Sequence, residues 1–472
     1  MSYIVAKFGG WANSTADRVK RSADLFEKNP DRRIKINSAI GKVEGLPKVT
    51  DLLIEGAEKA LKDGVFPQDV YDKIKLNHYS VFEPLGIGRD KIDEVMTILK
   101  SYIERKEELS EDNYRALVVG SGEELFTRLD YIYMKEIRNM NVRYVDPREI
   151  GHFLEGNPLD GKILEETYDN LSKLRRYEEI ILYPGFFAID KKGRPMLYSR
   201  GGTDKTAADV SAAVGADMYE NWKDVDGVYS ADPRIVQNPE LMNEVTYKEI
   251  RELSYISFNV LHQEAMIPVM RANIPICLKN LMKPESSGTT IINKREILNN
   301  RPVVGIAHIE DMFFVNVEKL LMNEEIGFAD KLTAIFKEHN INIEQITTGI
   351  DSMCVVVSSK QFREKTVYTG VAEGLRKKID IDEFSQYAQN KLHSDVFKIR
   401  KDKALICVVG EGMRRSVGTL SRIAGVLSKN DINIEIIDQG PSERNVIIGV
   451  DCSKDKDAAK KAVNFIYQEF FN

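Results

Sequence analysis

Long apolar runs, clustered cysteines and an excess of basic charge are all missing from this 472-residue chain. Its apolar stretches are strand-sized, well short of the roughly 20 residues a membrane span needs. The amino terminus, MSYIVAKFGG, has no basic segment leading into an apolar one, so neither a membrane partner nor a signal peptide is expected. Lys and Arg number 67 against 73 Asp and Glu, a balance of −6 without a long basic run, which argues against nucleic acid as a partner. Four cysteines, at 277, 354, 407 and 452, lie far apart with no CxxC spacing and no His cluster. They read as buried reduced thiols of a cytoplasmic protein rather than as a disulfide framework or a zinc site. The common nucleotide and hydrolase signatures are absent too: no GxxxxGK[ST], no GxGxxG at a strand–helix turn, no HRD or DFG, no GxSxG and no HExxH.

What is present is globular, with 43% hydrophobic and 30% charged residues, and at about 100–200 residues per domain the length corresponds to roughly three domains. A short apolar strand, Tyr3 to Phe8, breaks at Gly9-Gly10; a helical stretch follows from Thr15 to Phe26, then a strand at Ile34 to Ile36. Strand, glycine turn, helix and strand again is the order of a parallel α/β sheet. Residues 51–108 read as mostly helical, with breaks at Pro67, Pro84 and Gly86. Further strands are predicted at Ala116 to Val119, Val142 to Val145 and Ile180 to Tyr183. Between Lys283 and Val304 the periodicity fades and Pro284, Gly288 and Pro302 accumulate, which marks a domain boundary.

Beyond that boundary the chain repeats itself. Residues 327–349 read GFADKLTAIFKEHNINIEQITTG and residues 418–440 read GTLSRIAGVLSKNDINIEIIDQG, an offset of 91. The same offset pairs Met322 with Met413 and Phe314–Val317 with Leu405–Val408. Helix periodicity alone does not preserve both this register and the shared Ile-Asn-Ile-Glu strand, so the segment is a tandem duplication of a small α/β module.

Four motifs upstream could carry chemistry. Lys7-Phe8-Gly9-Gly10 combines a strand-end cation with two glycines that let backbone N–H groups approach a phosphate; a plain turn beside a surface lysine fits the same residues. Arg200-Gly201-Gly202-Thr203-Asp204 enters a helix N-terminus, where an anion is favoured, although Thr203 or Asp204 could serve only as the cap. Asp224 to Arg234, DVDGVYSADPR, gathers acids, Tyr229 and Arg234 in one loop. Gly120-Ser121-Gly122-Glu123-Glu124-Leu125 reads as another glycine turn leading into a helix.

In their order, KFGG, SAIGK (residues 38–42), Thr50-Asp51-Leu52-Leu53, GEEL, the Gly185-Phe186 turn, RGGTD, DVDGVYSADPRI and Val260-Leu261-His262 make the chain resemble the aspartate kinases of the amino acid kinase superfamily. The duplicated region resembles the paired ACT modules that regulate them. The resemblance spans nearly the whole chain, and RGGTD with DVDGVYSADPRI is its most specific part. It implies an α/β amino acid kinase fold over residues 1–296, a mostly parallel sheet flanked by helices. Two ferredoxin-like βαββαβ ACT modules would follow, over 303–395 and 396–472, with strands open to exchange between them. It implies transfer of the ATP γ-phosphate to the β-carboxylate of L-aspartate with Mg²⁺, and no protein metal ligands.

Carried over by residue, Lys7 and Asp204 would be catalytic, with Lys7, Gly9 and Gly10 on the phosphoryl group. Ser38, Thr50, Glu123, Phe186, Arg200 and Thr203 would hold aspartate, Glu123 taking its ammonium and Arg200 its α-carboxylate. Asp224, Tyr229, Asp232 and Arg234 would line the nucleotide site. Two anions meet in such a reaction, so positioning and charge neutralisation dominate and no covalent protein nucleophile is needed. Trp11 and Ala12 replace the family's usual small hydroxyl residues, Lys223 stands where Thr is common, Thr203 replaces Ser, and Asn259 replaces a lysine found in many members. These departures motivate the alternative of a catalytically weak paralogue that senses amino acids. In the ACT modules, Met322, Asn323, Gly327, Phe328, Asp351 and Ser352 are the candidate effector contacts. Lysine is the favoured effector, threonine the next, and a homodimer or homotetramer through the ACT modules is expected.

Overall fold

The computed structural model describes residues 2–471, apart from 200, 257–260, 262, 298–300, 364, 370–371 and 377–378. Its first part is built on an eight-stranded sheet of β1 (Ile4–Phe8), β2 (Arg32–Asn37), β3 (Val142–Tyr144), β4 (Ile180–Pro184), β5 (Met218–Lys223), β6 (Glu244–Thr246), β7 (Ile276–Asn280) and β8 (Thr289–Ile292). The spatial order is β6-β8-β7-β5-β1-β2-β4-β3, and only the β7–β8 pair is antiparallel. All five residues of β1 are buried, as expected for a central strand covered on both faces. β8 lies beyond Lys283, in the stretch where the periodicity fades.

One face carries α1 (Ala16–Lys28), α2 (Val49–Asp63), α3 (Gln68–Phe82), α4 (Arg89–Ile103) and α5 (Glu111–Ile132), which share one apolar cluster with Phe8 and Trp222. Thr15 caps α1 and Ser110 caps α5 through their side-chain oxygens. Two expectations fail here. The predicted strand Ala116–Val119 and the predicted glycine turn at Gly120–Gly122 are both interior to α5. This helix is buried on nearly every side, and a short apolar run is the same for a buried helix as for a buried strand. Its glycines serve close packing: a Cβ on Gly120 would stand 2.7 Å from Phe187 Cβ, and one on Gly122 3.0 Å from Ala39 Cβ. The other face carries α6 (Gly202–Ala213) and α7 (Tyr247–Ile256) in a second apolar cluster.

The duplicated region forms one six-stranded antiparallel sheet from β9 (Gly305–Glu318), β10 (Gln345–Thr348), β11 (Ser352–Ser358), β12 (Val396–Val409), β13 (Ile434–Asp438) and β14 (Asn445–Asp451), ordered β10-β11-β9-β12-β14-β13. The long strands β9 and β12 are shared. Met312–Glu318 joins β11 and the start of β12, whereas Gly305–Ile309 pairs only with the end of β12, beside β14. Helices α8 (Phe328–Glu338), α9 (Ile381–Leu392), α10 (Thr419–Lys429) and α11 (Ala458–Phe471) complete the two halves. α8 and α10 keep the offset of 91. The hairpin after β13 is longer than the one after β10, so Val355, opposite Val315, corresponds to Ile448, opposite Ile406.

α7 fastens the two parts together. Glu411 N–H donates to Glu249 Oε1 (2.9 Å), Asn445 Nδ2 to Glu252 Oε2 (2.6 Å) and Tyr255 Oη to Glu344 O (2.8 Å). No helix among the described residues is long and apolar enough to cross a membrane. Cys277, Cys407 and Cys452 are buried free thiols, and Cys354 is half-buried.

Candidate active site

At the carboxyl ends of β1 and β2, a cavity of about 550 Å³ is lined by Lys7, Gly9, Gly10, Ser38, Thr50, Glu123, Phe186, Thr203 and Asp204, residues drawn from six separate stretches of chain. The glycine turn after β1 lies close to the one after β2: Gly41 N–H donates to Gly10 O (2.9 Å), and a Cβ on Gly41 would sit 2.5 Å from that carbonyl carbon. Asn13 Nδ2 ties the pair down through Ser38 O (2.7 Å). Trp11 lies against Arg18, whose guanidinium is 4.0 Å from the indole centroid.

Lys7 Nζ meets Asp204 Oδ1 at 2.7 Å, both nearly buried. The cap of α6 is Gly201, in a left-handed conformation with φ of 82°, and no side chain bonds there. Asp204 is therefore not a cap; its carboxylate also accepts from Asn221 Nδ2 at 2.9 Å. Burial alone would push this carboxyl up, but the charges of Lys7 and Lys223 and the hydrogen bonds from Lys7 and Asn221 hold it at about 2.

Glu123 behaves in the opposite way. Its side chain is 3% exposed, and burial with no neighbouring cation pushes the carboxyl up to about 8. Oε1 accepts a long hydrogen bond from Ser38 Oγ (3.4 Å), and Oε2 has no partner. Thr203 Oγ1 donates to Ser38 Oγ (3.3 Å), so hydroxyls bridge the acid to the start of α6. Phe186, on the cavity wall, has φ of 71°, a strained value for a bulky residue that costs about 1–3 kcal/mol. Its N–H donates to Thr206 Oγ1 at 3.0 Å.

Lys48, Asp51, Ile54 and Tyr198 also line the cavity. Of these, only Asp51 lay in a motif quoted from the sequence. Tyr198 belongs to a buried chain: it donates to Asp209 Oδ2 (2.7 Å) and lies 2.8 Å from His152 Nε2, while His152 Nδ1 lies 2.9 Å from Tyr183 Oη. Tyr198 has one proton to give, so His152 donates from Nε2 and accepts from Tyr183. Nothing local in the sequence marks this chain.

The loop that opens at the end of β5 divides. Asp224 is exposed and electrostatically coupled to Arg18. Tyr229 donates to Asp226 Oδ2 (3.3 Å), and Asp226 also takes Asn280 Nδ2 (2.6 Å) and Lys283 Nζ (2.8 Å). Asp232 and Arg234 pair with each other at 2.6 Å. Neighbouring Ala231 and Val236 pack into the cluster of α11, and Ile306 N–H donates to Ser230 O. None of Asp224, Tyr229, Asp232 and Arg234 lines the cavity. Arg200, Asn259, Val260 and His262 lie outside the described residues.

Around the first duplicated helix, Met322 and Phe328 are core residues, whereas Asn323, Gly327 and Ser352 are exposed. Asp351 Oδ1 accepts the Leu321 N–H at 2.9 Å. Leu320, Leu321, Ile326 and Ile350 expose apolar surface beside them.

A parallel α/β domain with a lysine–carboxylate pair at glycine turns, joined to a duplicated ferredoxin-like region, defines a small-molecule kinase under regulatory control. The amino acid kinase family model matches residues 2–280, and an ACT domain model matches 406–470. The chain is 36% identical to aspartokinase 3 of Bacillus subtilis over 468 residues, covering 99% of this chain and 98% of that one. The aspartate kinase of Clostridium acetobutylicum superposes with a TM-score of 0.86 at 31% identity, covering 99% and 100% of the two chains. Escherichia coli aspartokinase III, solved with aspartate and ADP and again with lysine and aspartate, shares the fold (TM-scores 0.74 and 0.76, identities 22% and 24%, full coverage of both chains). The chain belongs to the amino acid kinase family and, within it, to the aspartokinases.

Proposed function

We propose that this aspartokinase transfers the γ-phosphoryl group of ATP to the β-carboxylate of L-aspartate, giving 4-phospho-L-aspartate, with Glu123 and the Lys7–Asp204 pair at opposite poles of one site. The observation that carries this assignment of roles is the unpartnered Glu123 Oε2, buried at a cavity that also holds a lysine ion-paired at 2.7 Å. A buried carboxyl without a cation stays protonated until a cation reaches it, and in this reading the aspartate ammonium is that cation. Ser38, Thr50 and Thr203 offer neutral donors to the substrate carboxylates, Arg200 takes the α-carboxylate, and Phe186 walls the pocket. Lys7 neutralises the transferring group with the Gly9 and Gly10 N–H groups, and Asp204, paired with Lys7 at 2.7 Å, keeps it aimed.

The loop carrying Asp224, Tyr229, Asp232 and Arg234 starts where β5 ends, beside β1, and takes the nucleotide in this reading. Among the described residues no group of three or more His, Cys, Asp or Glu could hold a metal, so Mg²⁺ would enter on the nucleotide phosphates and screen their charge there.

The duplicated modules, over 303–395 and 396–472 after a catalytic domain of 1–296, would supply feedback control of amino-acid biosynthesis in the cytoplasm. Lysine is the effector favoured, supported by the E. coli relative that binds it, and threonine is the runner-up. The loop of Met322, Asn323, Gly327, Phe328, Asp351 and Ser352 would form that site, and the apolar surface at Leu320, Ile326 and Ile350 would be covered in a homodimer or homotetramer.

A coupled ADP-release assay with Mg·ATP and L-aspartate, with hydroxylamine trapping the acyl phosphate, tests the reading. Aspartate-dependent turnover slowed by lysine or threonine is expected. Amino-acid binding without turnover would make the protein a sensor instead.

A further inference from the structure

β1 and β5 run side by side in parallel, with Lys7 opposite Asn221 and Phe8 opposite Trp222. The next residue of β5 is Lys223, at the level of the first glycine of the turn. Side chains alternate along a strand, so Tyr219, Asn221 and Lys223 share one face. That face meets Asp204: Asn221 Nδ2 donates to Asp204 Oδ1 at 2.9 Å, and Tyr219 Oη lies 3.5 Å from the same oxygen. Lys223 is half-buried and acts electrostatically on both members of the Lys7–Asp204 pair. Two positive charges thus act on one buried carboxylate near the glycine turn, and they repel each other. An anion placed between them relieves that repulsion.

Which anion is decided by position. Lys7 and Asp204 line the substrate cavity, whereas Lys223 does not; it stands at the root of the 224–234 loop, next to exposed Asp224. We infer that Lys223 is a phosphate-binding residue: its ammonium grips the leaving-side phosphates of the nucleoside triphosphate, while Lys7 attends the group in transfer. In the transfer, the bond from the γ-phosphorus to the β,γ-bridging oxygen breaks as the aspartate β-carboxylate oxygen bonds to that phosphorus. The electron pair stays on the bridging oxygen, on the diphosphate that Lys223 holds. The inference rests on the kinase reading above and adds a residue to it.

The experiment compares Lys223→Met and Lys223→Arg with the parent protein. KM for ATP and for aspartate are measured by turnover, and the Kd of Mg·ADP by titration calorimetry without aspartate. Removing a charge-assisted contact to phosphate is expected to raise the ATP KM and the ADP Kd by about tenfold or more, with the aspartate KM within about twofold and Lys223→Arg recovering most of the loss. Unchanged nucleotide constants in Lys223→Met overturn the inference, as does a defect confined to aspartate. If Lys223→Met does not fold, Lys223→Thr is read by the same two constants. The ADP titration decides about Lys223 even if the parent protein fails to phosphorylate aspartate, so the two failures are distinguishable.

Discussion

Glu123→Gln turns the acid at the foot of the cavity into a measurable titration. With its carboxyl pushed up to about 8 by burial, Glu123 is about nine-tenths protonated in the empty site at pH 7. A substrate ammonium binds its ionised form, so aspartate must first displace a proton. At saturating Mg·ATP, the aspartate KM of the parent enzyme should therefore fall about tenfold from pH 6 to pH 7 and about fivefold from pH 7 to pH 8, then level off. Glu123→Gln should flatten this dependence and set the KM about 10- to 150-fold above the parent plateau, the effect of losing a charged hydrogen-bond partner worth about 1.5–3 kcal/mol.

The same substitution should act in the opposite sense on the empty protein. The folded-state value lies above the ordinary 4.5, so the stability linked to Glu123 is full below that value and is lost as pH rises toward 8. Gln carries no such loss, and the ligand-free variant should melt higher than the parent at pH 8, with a given concentration of aspartate raising its Tm less than it raises the parent's. The readouts are ADP release across pH 6–8.5 and thermal melts with and without aspartate. An aspartate KM in the parent that stays constant from pH 6 to pH 8 would refute the reasoning.

Three further outcomes are expected. Lys7→Ala should lower kcat by about 10²–10³ while changing the aspartate KM far less, since its charge is needed most in the transition state; steady-state kinetics with a near-normal kcat would remove its role. Gly120→Ala sets a methyl 2.7 Å from Phe187 Cβ inside α5 and should destabilise by about 1–3 kcal/mol, read by denaturant melts. Tyr255→Phe cuts the bond from α7 to Glu344 O; it should leave the uninhibited kcat within about twofold and weaken inhibition by lysine, seen as a right-shifted dose–response curve.

The sequence showed most where local pattern and fold coincide. β1 and β4 carry short apolar runs that end at glycine or proline, β2 carries a shorter one that closes at Asn37, and their limits differ from expectation by a residue or two. The duplication was legible because a fixed offset needs no knowledge of packing. α5 was misread in two ways, because its glycines answer to Phe187 and Ala39, residues distant in the chain that no window around Gly120 contains. Lys7, Ser38, Glu123 and Asp204 were found through motif order, but the partnerless state of Glu123 Oε2 comes only from folded packing. His152 and Asp209, which fix Tyr198, are isolated in the sequence. Asp232 and Arg234 sit in a motif read as one nucleotide loop, yet each side chain has the other as its partner and the chain around them supports α11.

β9 has a consequence for how the protein is made. Gly305 to Ile309 leave the ribosome early, yet their partners, Leu405 to Val409, emerge about a hundred residues later. At about 5–20 residues per second, this edge waits roughly 5–20 s for its ladder. Until then its backbone N–H and C=O groups are open to any passing strand. A nascent chain stalled after the first module would thus present an adhesive end, and clipping the protein there would leave the second module short of a strand. Synthesis of the regulatory half is in this sense a single commitment, finished only when the last module closes over residues made at the start of the first.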